Sequence, residues 1–125
     1  MEVGLSTAAA CEAIPLLEVK GEVDHSNLFD LTIAVGSLLR ERAPVILLDV
    51  SAVTYIDSGG LSVFYNALRQ MDDSGWLGII NPRPHVLRML ELIGLTNQSG
   101  FRVFATLEEA EKAVRECPIA RKRLV

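Results

Sequence analysis

The sequence predicts a single α/β domain in which strands alternate with helices. Two short and largely apolar segments, residues 45–50 and 76–80, have the composition of strands that are covered on both faces. Between them lies a segment with apolar residues at helical spacing, so the two strands are expected to be parallel neighbours joined by a helix. The 125 residues suffice for one domain with its own core, and half of them are hydrophobic.

Two strands and a helix are predicted before this central unit. Residues 14–20 form a predicted strand, with residues 3–11 as its edge partner, and Pro15 suits a strand end or edge because it cannot donate to a ladder. Asp24 or Ser26 is then expected to cap the first helix. The apolar face of that helix comprises Leu28, Leu31, Val35, Leu38 and Leu39.

Three helices and a short strand are predicted after residue 57. The third helix is expected to have Pro84 in its first turn and Gly94 at its C-terminal cap. Residues 102–104 form a predicted strand, and Thr106 with Glu109 is the capping signal of a last helix. The apolar face of the second helix comprises Leu61, Phe64, Tyr65, Leu68 and Met71, and that of the third comprises Val86, Met89, Leu90 and Ile93.

Composition excludes several classes of function. The formal net charge is −4 and no basic stripe with interleaved aromatic residues is present, so nucleic acid is not an expected partner. No segment approaches the roughly 18 apolar residues of a membrane span, so no membrane insertion is expected. Cys11 and Cys117 have no metal-ligand or redox spacing and are expected to be reduced thiols in a cytoplasmic protein. We expect one domain over residues 1–117 and a basic tail over residues 118–125.

The most informative segment is the strand-to-helix junction that contains Asp57, Ser58, Gly59 and Gly60. In open α/β sheets, ligands collect where the strands end, and here the loops 21–25, 50–60 and 81–84 are expected to meet. The unpaired N–H groups of a helix start favour an anion, and glycines leave a neighbouring hydroxyl accessible. The junction therefore suits a serine that is presented and modified. A plain helix-capping role is an equal alternative for Asp57, and for Ser58 the residue type alone favours a capping or first-turn hydroxyl.

Catalytic alternatives find little support. No nucleophile elbow, phosphate-binding loop or dinucleotide fingerprint is present, and two histidines with two scattered cysteines give no metal site. A triad of Ser58, His85 and an aspartate lacks any local group that would orient the imidazole. We therefore expect no enzymatic activity, no cofactor and no metal.

Two motifs in register resemble a known family. Residues 45–61, which end in Asp57-Ser58-Gly59-Gly60-Leu61, resemble the core of STAS domains, and more narrowly the bacterial anti-sigma factor antagonists. Gly21-Glu22-Val23-Asp24 is similar to that family's turn before its first helix. The resemblance covers residues 14–115 and implies a mixed sheet of four to five strands, with about four helices packed mainly on one face.

The resemblance also implies partner switching. An unphosphorylated antagonist binds an anti-sigma factor, which is itself a serine kinase, and so frees a sigma factor; a serine phosphatase resets the switch. By position, Ser58 would be the phosphorylation site, and the docking surface would comprise Gly21, Asp24, Asp57, Ser58, Gly59 and Gly60. Gly59 departs from the family, which often has a second serine there, and a glycine pair is expected to loosen the first helical turn.

Two other functions are compatible with a STAS fold. One is a non-switching subunit packed on the nucleotide-binding protein of an ABC-type lipid transporter, in which Ser58 would only be structural. The other is a stress-signalling scaffold built from many copies, whereas a switching antagonist is expected to be a monomer or weak dimer.

Overall fold

The computed structural model describes residues 2–8, 11–72 and 74–116. Within them lie five strands, four α-helices and the short 3₁₀ helix Leu95–Asn97. The strands are β1 (Glu2–Ala8), β2 (Cys11–Val23), β3 (Val45–Ile56), β4 (Trp76–Ile80) and β5 (Phe101–Phe104). The helices are α1 (Leu28–Arg40), α2 (Ser58–Gln70), α3 (Pro84–Leu92) and α4 (Leu107–Arg115). The predicted tail, residues 118–125, lies outside the described residues.

The five strands form one mixed sheet whose spatial order is the order along the chain. β1 pairs antiparallel with β2, and every later neighbour is parallel. Because parallel crossovers are right-handed, a sheet that grows in one direction places its connecting helices on one face. The helices α1, α2 and α3 accordingly pack on one face and α4 on the other. The predicted mixed sheet, with helices mainly on one face, is confirmed.

The apolar composition of β3 follows from its central position. Ile46 and Leu48 face the core beneath α1, α2 and α3, whereas Val45 and Leu47 face the smaller core beneath α4. Successive side chains of a strand point to opposite faces, so a strand covered on both faces needs apolar residues at consecutive positions. This burial confirms the prediction for β3.

Both strands that lead to the candidate site are longer than predicted. β2 continues to Val23 and stays paired with β3 as far as Ile56. Gly21 therefore lies inside β2, and its predicted place in a loop beyond the strand is wrong. Its backbone has φ of 91°, beside a pairing irregularity between Gly21 and Glu22. A glycine adopts this conformation without a steric penalty, which lets the strand bend and continue.

The predicted cap of α1 is also wrong. Asn27 occupies the N-cap position, and no side chain caps this helix. The Asp24 carboxylate instead accepts hydrogen bonds from the backbone N–H of Ser26, at 2.9 Å, and from its hydroxyl. The Asn27 amide accepts a bond from the N–H of Asp24 and donates one to the carbonyl of Glu22. These polar side chains close the β2–α1 loop and are not available to cap the helix.

The helical faces agree with prediction except at a few positions. Tyr65 is 46% exposed, and Ala67 is buried on the inner side of α2. On the predicted face of α3, Val86 and Leu90 are buried, whereas Met89 and the C-cap residue Ile93 are exposed. The capping signal of α4 is confirmed, since Thr106 Oγ1 accepts a hydrogen bond from the N–H of Glu109 at 3.2 Å. The Glu109 carboxylate reaches back to the N–H of Ala105, one residue before the cap.

Candidate functional site

The junction between β3 and α2 is closed by Asp57. Asp57 has an extended backbone and is the N-cap of α2, with Oδ1 accepting a hydrogen bond from the N–H of Gly60 at 3.1 Å. Its own N–H donates to the carbonyl of Val23 at the end of β2. The side chain thus satisfies one of the unpaired N–H groups of the helix start, and the backbone fixes that start against the neighbouring strand.

A second contact joins Asp57 to the β2–α1 loop. Asp57 Oδ2 accepts a hydrogen bond from the backbone N–H of His25 at 3.1 Å, and the Nδ1 atom of the same residue lies 3.1 Å away. The hydrogen bond from the His25 side chain, followed by those from the N–H groups of Gly60 and His25, lowers the pKa of Asp57. Asp57 therefore stays ionised at neutral pH while both of its oxygens are engaged.

Asp24 adds a second carboxylate to the same loop. Hydrogen bonds from the hydroxyl and the backbone N–H of Ser26 lower the pKa of Asp24 below its ordinary value, although the nearby charge of Asp57 acts in the opposite direction. Two ionised carboxylates thus belong to this edge of the sheet.

Ser58 is the first residue of α2 and is exposed. Its hydroxyl makes no hydrogen bond to any residue in the described part of the chain. The first turn of α2 carries no acidic side chain. A hydroxyl in this position is accessible to another protein, and the start of the helix stabilises a negative charge placed there.

The two glycines that follow Ser58 lie in close contact with neighbouring side chains, and the contact is tighter at Gly60. A Cβ atom at Gly60 would lie 2.7 Å from Ile56 Cγ1 and 2.8 Å from Val23 Cγ1, and Gly60 is buried. At Gly59 a Cβ atom would lie 2.9 Å from Leu28 Cδ1. Both glycines therefore let the start of α2 close onto its neighbours, and a serine at position 59 would require Leu28 to move. Gly60, one of the predicted docking residues, is buried and positions the turn.

The other histidine lies elsewhere at this edge of the sheet. His85 Nε2 is 2.6 Å from the carbonyl oxygen of Thr54, and Arg83 Nε donates to the carbonyl of Ser51. These side chains bind the edge of β3 where it extends past β4. The sequence analysis did not predict His25 as a partner of Asp57. The only indication of this contact in the sequence is that His25 lies in the loop 21–25, which is expected at the same edge of the sheet as Asp57.

A comparison with known families matches residues 7–108 to the model described as "Mlab, STAS domain". The chain belongs to the STAS domain family. This membership agrees with the mixed sheet of five strands and the four helices described above.

Several relatives of this STAS protein are anti-sigma factor antagonists. It is 28% identical over 109 residues to the anti-sigma-F factor antagonist RsfB of Mycobacterium tuberculosis, an alignment covering 87% of this chain and 88% of the relative. An anti-sigma factor antagonist from Mycobacterium paratuberculosis superposes with a TM-score of 0.80 at 24% identity, covering 91% and 93% of the two chains. The phosphorylated form of SpoIIAA from Bacillus superposes with a TM-score of 0.70 at 20% identity, covering 91% and 100%.

No helix among the described residues is both long and apolar enough to cross a membrane.

Proposed function

We propose that this STAS protein is an anti-sigma factor antagonist whose binding is switched off by phosphorylation of Ser58. In its unphosphorylated state it binds an anti-sigma factor that is also a serine kinase, and a sigma factor is released. The observation that best supports this role is the exposed Ser58 hydroxyl at the first position of α2, next to the fixed cap Asp57. The relationship to RsfB supports the same function.

In the reaction we propose, this chain is a substrate and not a catalyst. The Ser58 Oγ atom attacks the γ-phosphorus of ATP, the bond to ADP breaks, and the hydroxyl proton passes to a base of the kinase. A serine phosphatase later hydrolyses the phosphoester and restores the hydroxyl. Both steps require that the start of α2 be open to large partners, which fits the exposure of Ser58.

Charge explains how a phosphate would end binding without unfolding the domain. A phosphoserine carries about −1.5 to −2 charges at neutral pH. The N-terminus of α2 tolerates this charge, so the helix remains folded. A partner surface complementary to a neutral hydroxyl would instead have to desolvate a dianion next to the carboxylate of Asp57. This penalty is several kcal/mol, which lowers affinity a hundredfold or more.

Paired pull-downs from the source cells test the proposal. Ser58→Ala and Ser58→Asp versions serve as baits, and we expect only the alanine version to retain an ATP-binding kinase. Incubation of that kinase with ATP should phosphorylate the wild-type chain and leave Ser58→Ala unmodified. Retention of the same ABC-transporter subunits by both baits would contradict the switch and would make Ser58 a structural residue.

A further inference from the structure

The helix α1 has two apolar stripes, and only one of them is used by the core. Leu31, Val35 and Leu38 are buried against the sheet. Phe29 and Ile33 are 74% and 47% exposed. With Gly36 they follow the spacing i, i+4 and i+7, so the three positions share one side of the helix.

This exposed side borders a groove of about 440 Å³ between α1 and α2. Its walls include Leu28, Ile33 and Gly36 from α1, and Ser62, Val63 and Asn66 from α2. Arg40, at the far end of α1, is the only charged residue among the described residues that line it. A mostly neutral groove beside exposed apolar side chains is suited to receive an apolar segment of another protein.

The groove is continuous with the turn that presents Ser58. Leu28, which lines the groove, is the residue against which Gly59 closes, since a Cβ atom at position 59 would lie 2.9 Å from Leu28 Cδ1. Ser62 lies one turn after Ser58 on α2 and also lines the groove. A partner that covers the Ser58 turn therefore meets the groove and the exposed side of α1 next.

Gly36 is an independent indication that the groove between α1 and α2 has a binding role. It lies in the interior of α1, where a glycine destabilises a helix relative to alanine. Internal packing does not require it, because the atom nearest to an added Cβ would be the end of the Arg40 side chain, at 3.7 Å. The missing side chain does keep the groove wide along its α1 wall.

We propose that the α1–α2 groove, which Ile33 lines, is together with the exposed Phe29 one turn earlier on α1 the second half of the docking surface for the anti-sigma factor. This inference rests on the proposed function and assigns part of the binding energy to α1, away from the phosphorylated turn. The occupant is an apolar segment of the kinase, held in the groove while the body of the kinase covers Ser58. The phosphate then removes the contact at one end, and the apolar contact along α1 is too weak to hold the partner alone.

Affinity measurements with the purified kinase retained by the Ser58→Ala bait test this surface. Phe29→Gln and Ile33→Gln remove the apolar groups and keep good helix formers, and each should weaken binding tenfold or more. The matched control is Leu92→Gln on α3, since Leu92 is 73% exposed and outside the groove. It should change affinity by less than about twofold, within the range of a residue that makes no interface contact.

A groove-filling variant separates docking from folding. Gly36→Leu places a side chain in the groove and replaces a poor helix former with a good one. We expect its Tm to equal or exceed that of the wild type, with kinase affinity reduced at least tenfold. If Gly36→Leu and Phe29→Gln bind the kinase with wild-type affinity while Ser58→Asp loses binding, the docking role of the groove is wrong. The proposed function would still hold.

Two further outcomes would overturn the assignment of the groove to the kinase. If Ser58→Asp binds as tightly as the wild type, the proposed function fails, and the groove loses its assigned occupant with it. Sedimentation velocity provides the remaining comparison. A wild-type dimer that Phe29→Gln converts to a monomer, with unchanged kinase affinity, would assign the groove to a second copy of this chain and overturn the inference.

Discussion

At the scale of single residues, Gly60 is the position at which the start of α2 packs most tightly against the strands of the sheet. Its α-hydrogen faces Ile56 and Val23, whose carbon atoms lie 2.7 and 2.8 Å from the place of a Cβ atom. These contacts come from two strands that are fixed in the sheet, so neither side chain can move away freely. The start of α2 can approach the sheet this closely only because residue 60 has no side chain.

We predict that Gly60→Ala lowers the free energy of unfolding by about 1–3 kcal/mol, because the added methyl group overpacks the junction. Urea unfolding measures the change. Gly36→Ala is the control, since it adds the same methyl group in a helix interior where the nearest atom is 3.7 Å away. The control should gain about 0.5–1 kcal/mol. Equal effects from both substitutions would contradict this account of the turn.

The carboxylate of Asp57 gives a second prediction at this scale. Hydrogen bonds from His25 and Gly60 hold its pKa below the ordinary value. A carboxylate with a lowered folded-state pKa stabilises the fold above its unfolded pKa, near 3.9, and that contribution disappears as the pH falls through the folded value. The unfolding free energy of the wild type should therefore decrease below about pH 4.

Asp57→Asn should reduce the steepness of that decrease, as measured by urea unfolding between pH 2.5 and 7. The asparagine still offers an oxygen to the N–H of Gly60 but has no charge to lose. Asp30→Asn is a suitable comparison, because Asp30 is an exposed acidic residue in the first turn of α1. A pH profile of Asp57→Asn identical to that of the wild type would show that Asp57 does not contribute through its charge.

At the scale of elements, the sequence predicts what periodicity and turn chemistry determine locally. The strands β3 and β4 follow from their apolar composition, and α4 follows from the spacing of Thr106 and Glu109. The predicted N-cap of α1 is wrong because three polar residues compete for the same few backbone groups in the β2–α1 loop. Local spacing does not decide which of them points towards the helix.

Contacts between distant residues account for the rest of what sequence reasoning missed. His25 and Asp57 are 32 residues apart and meet because β2 and β3 run parallel and end at the same edge. Gly59 lies against Leu28 of α1, since a Cβ atom at position 59 would be 2.9 Å from Leu28 Cδ1. Neither contact leaves a periodic signal in the sequence, since each depends on the relative positions of two elements.

The capping of α4 gives a prediction at the scale of elements. Thr106→Ala removes the acceptor of the Glu109 N–H and should lower the free energy of unfolding by about 1 kcal/mol. Thr106→Ser keeps the hydroxyl and should lose much less. Because α4 packs on the face opposite α1 and α2, both variants should bind the kinase with wild-type affinity. A loss of affinity in Thr106→Ala at temperatures where it is fully folded would contradict this separation.

At the scale of the whole molecule, the arrangement separates the switch from the core. The largest buried cluster lies between the sheet and the helices α1, α2 and α3, and a second lies beneath α4. Ser58 lies at the end of this assembly, exposed, where β3 gives way to α2. A charge added there faces solvent and a helix N-terminus, so the apolar contacts that hold the sheet do not change.

Phosphorylation of Ser58 should therefore lower the affinity for a partner and leave the fold of the domain unchanged. We predict that the Ser58-phosphorylated chain shows altered amide chemical shifts only in the first turn of α2 and in the β2–α1 loop. Hydrogen exchange of the buried β3 and β4 amides should be unchanged, because these strands remain packed on both faces. Faster exchange throughout β3 would mean that the phosphate acts by destabilising the domain. In that case the loss of docking would follow from unfolding, and direct repulsion at the Ser58 turn would no longer explain the switch.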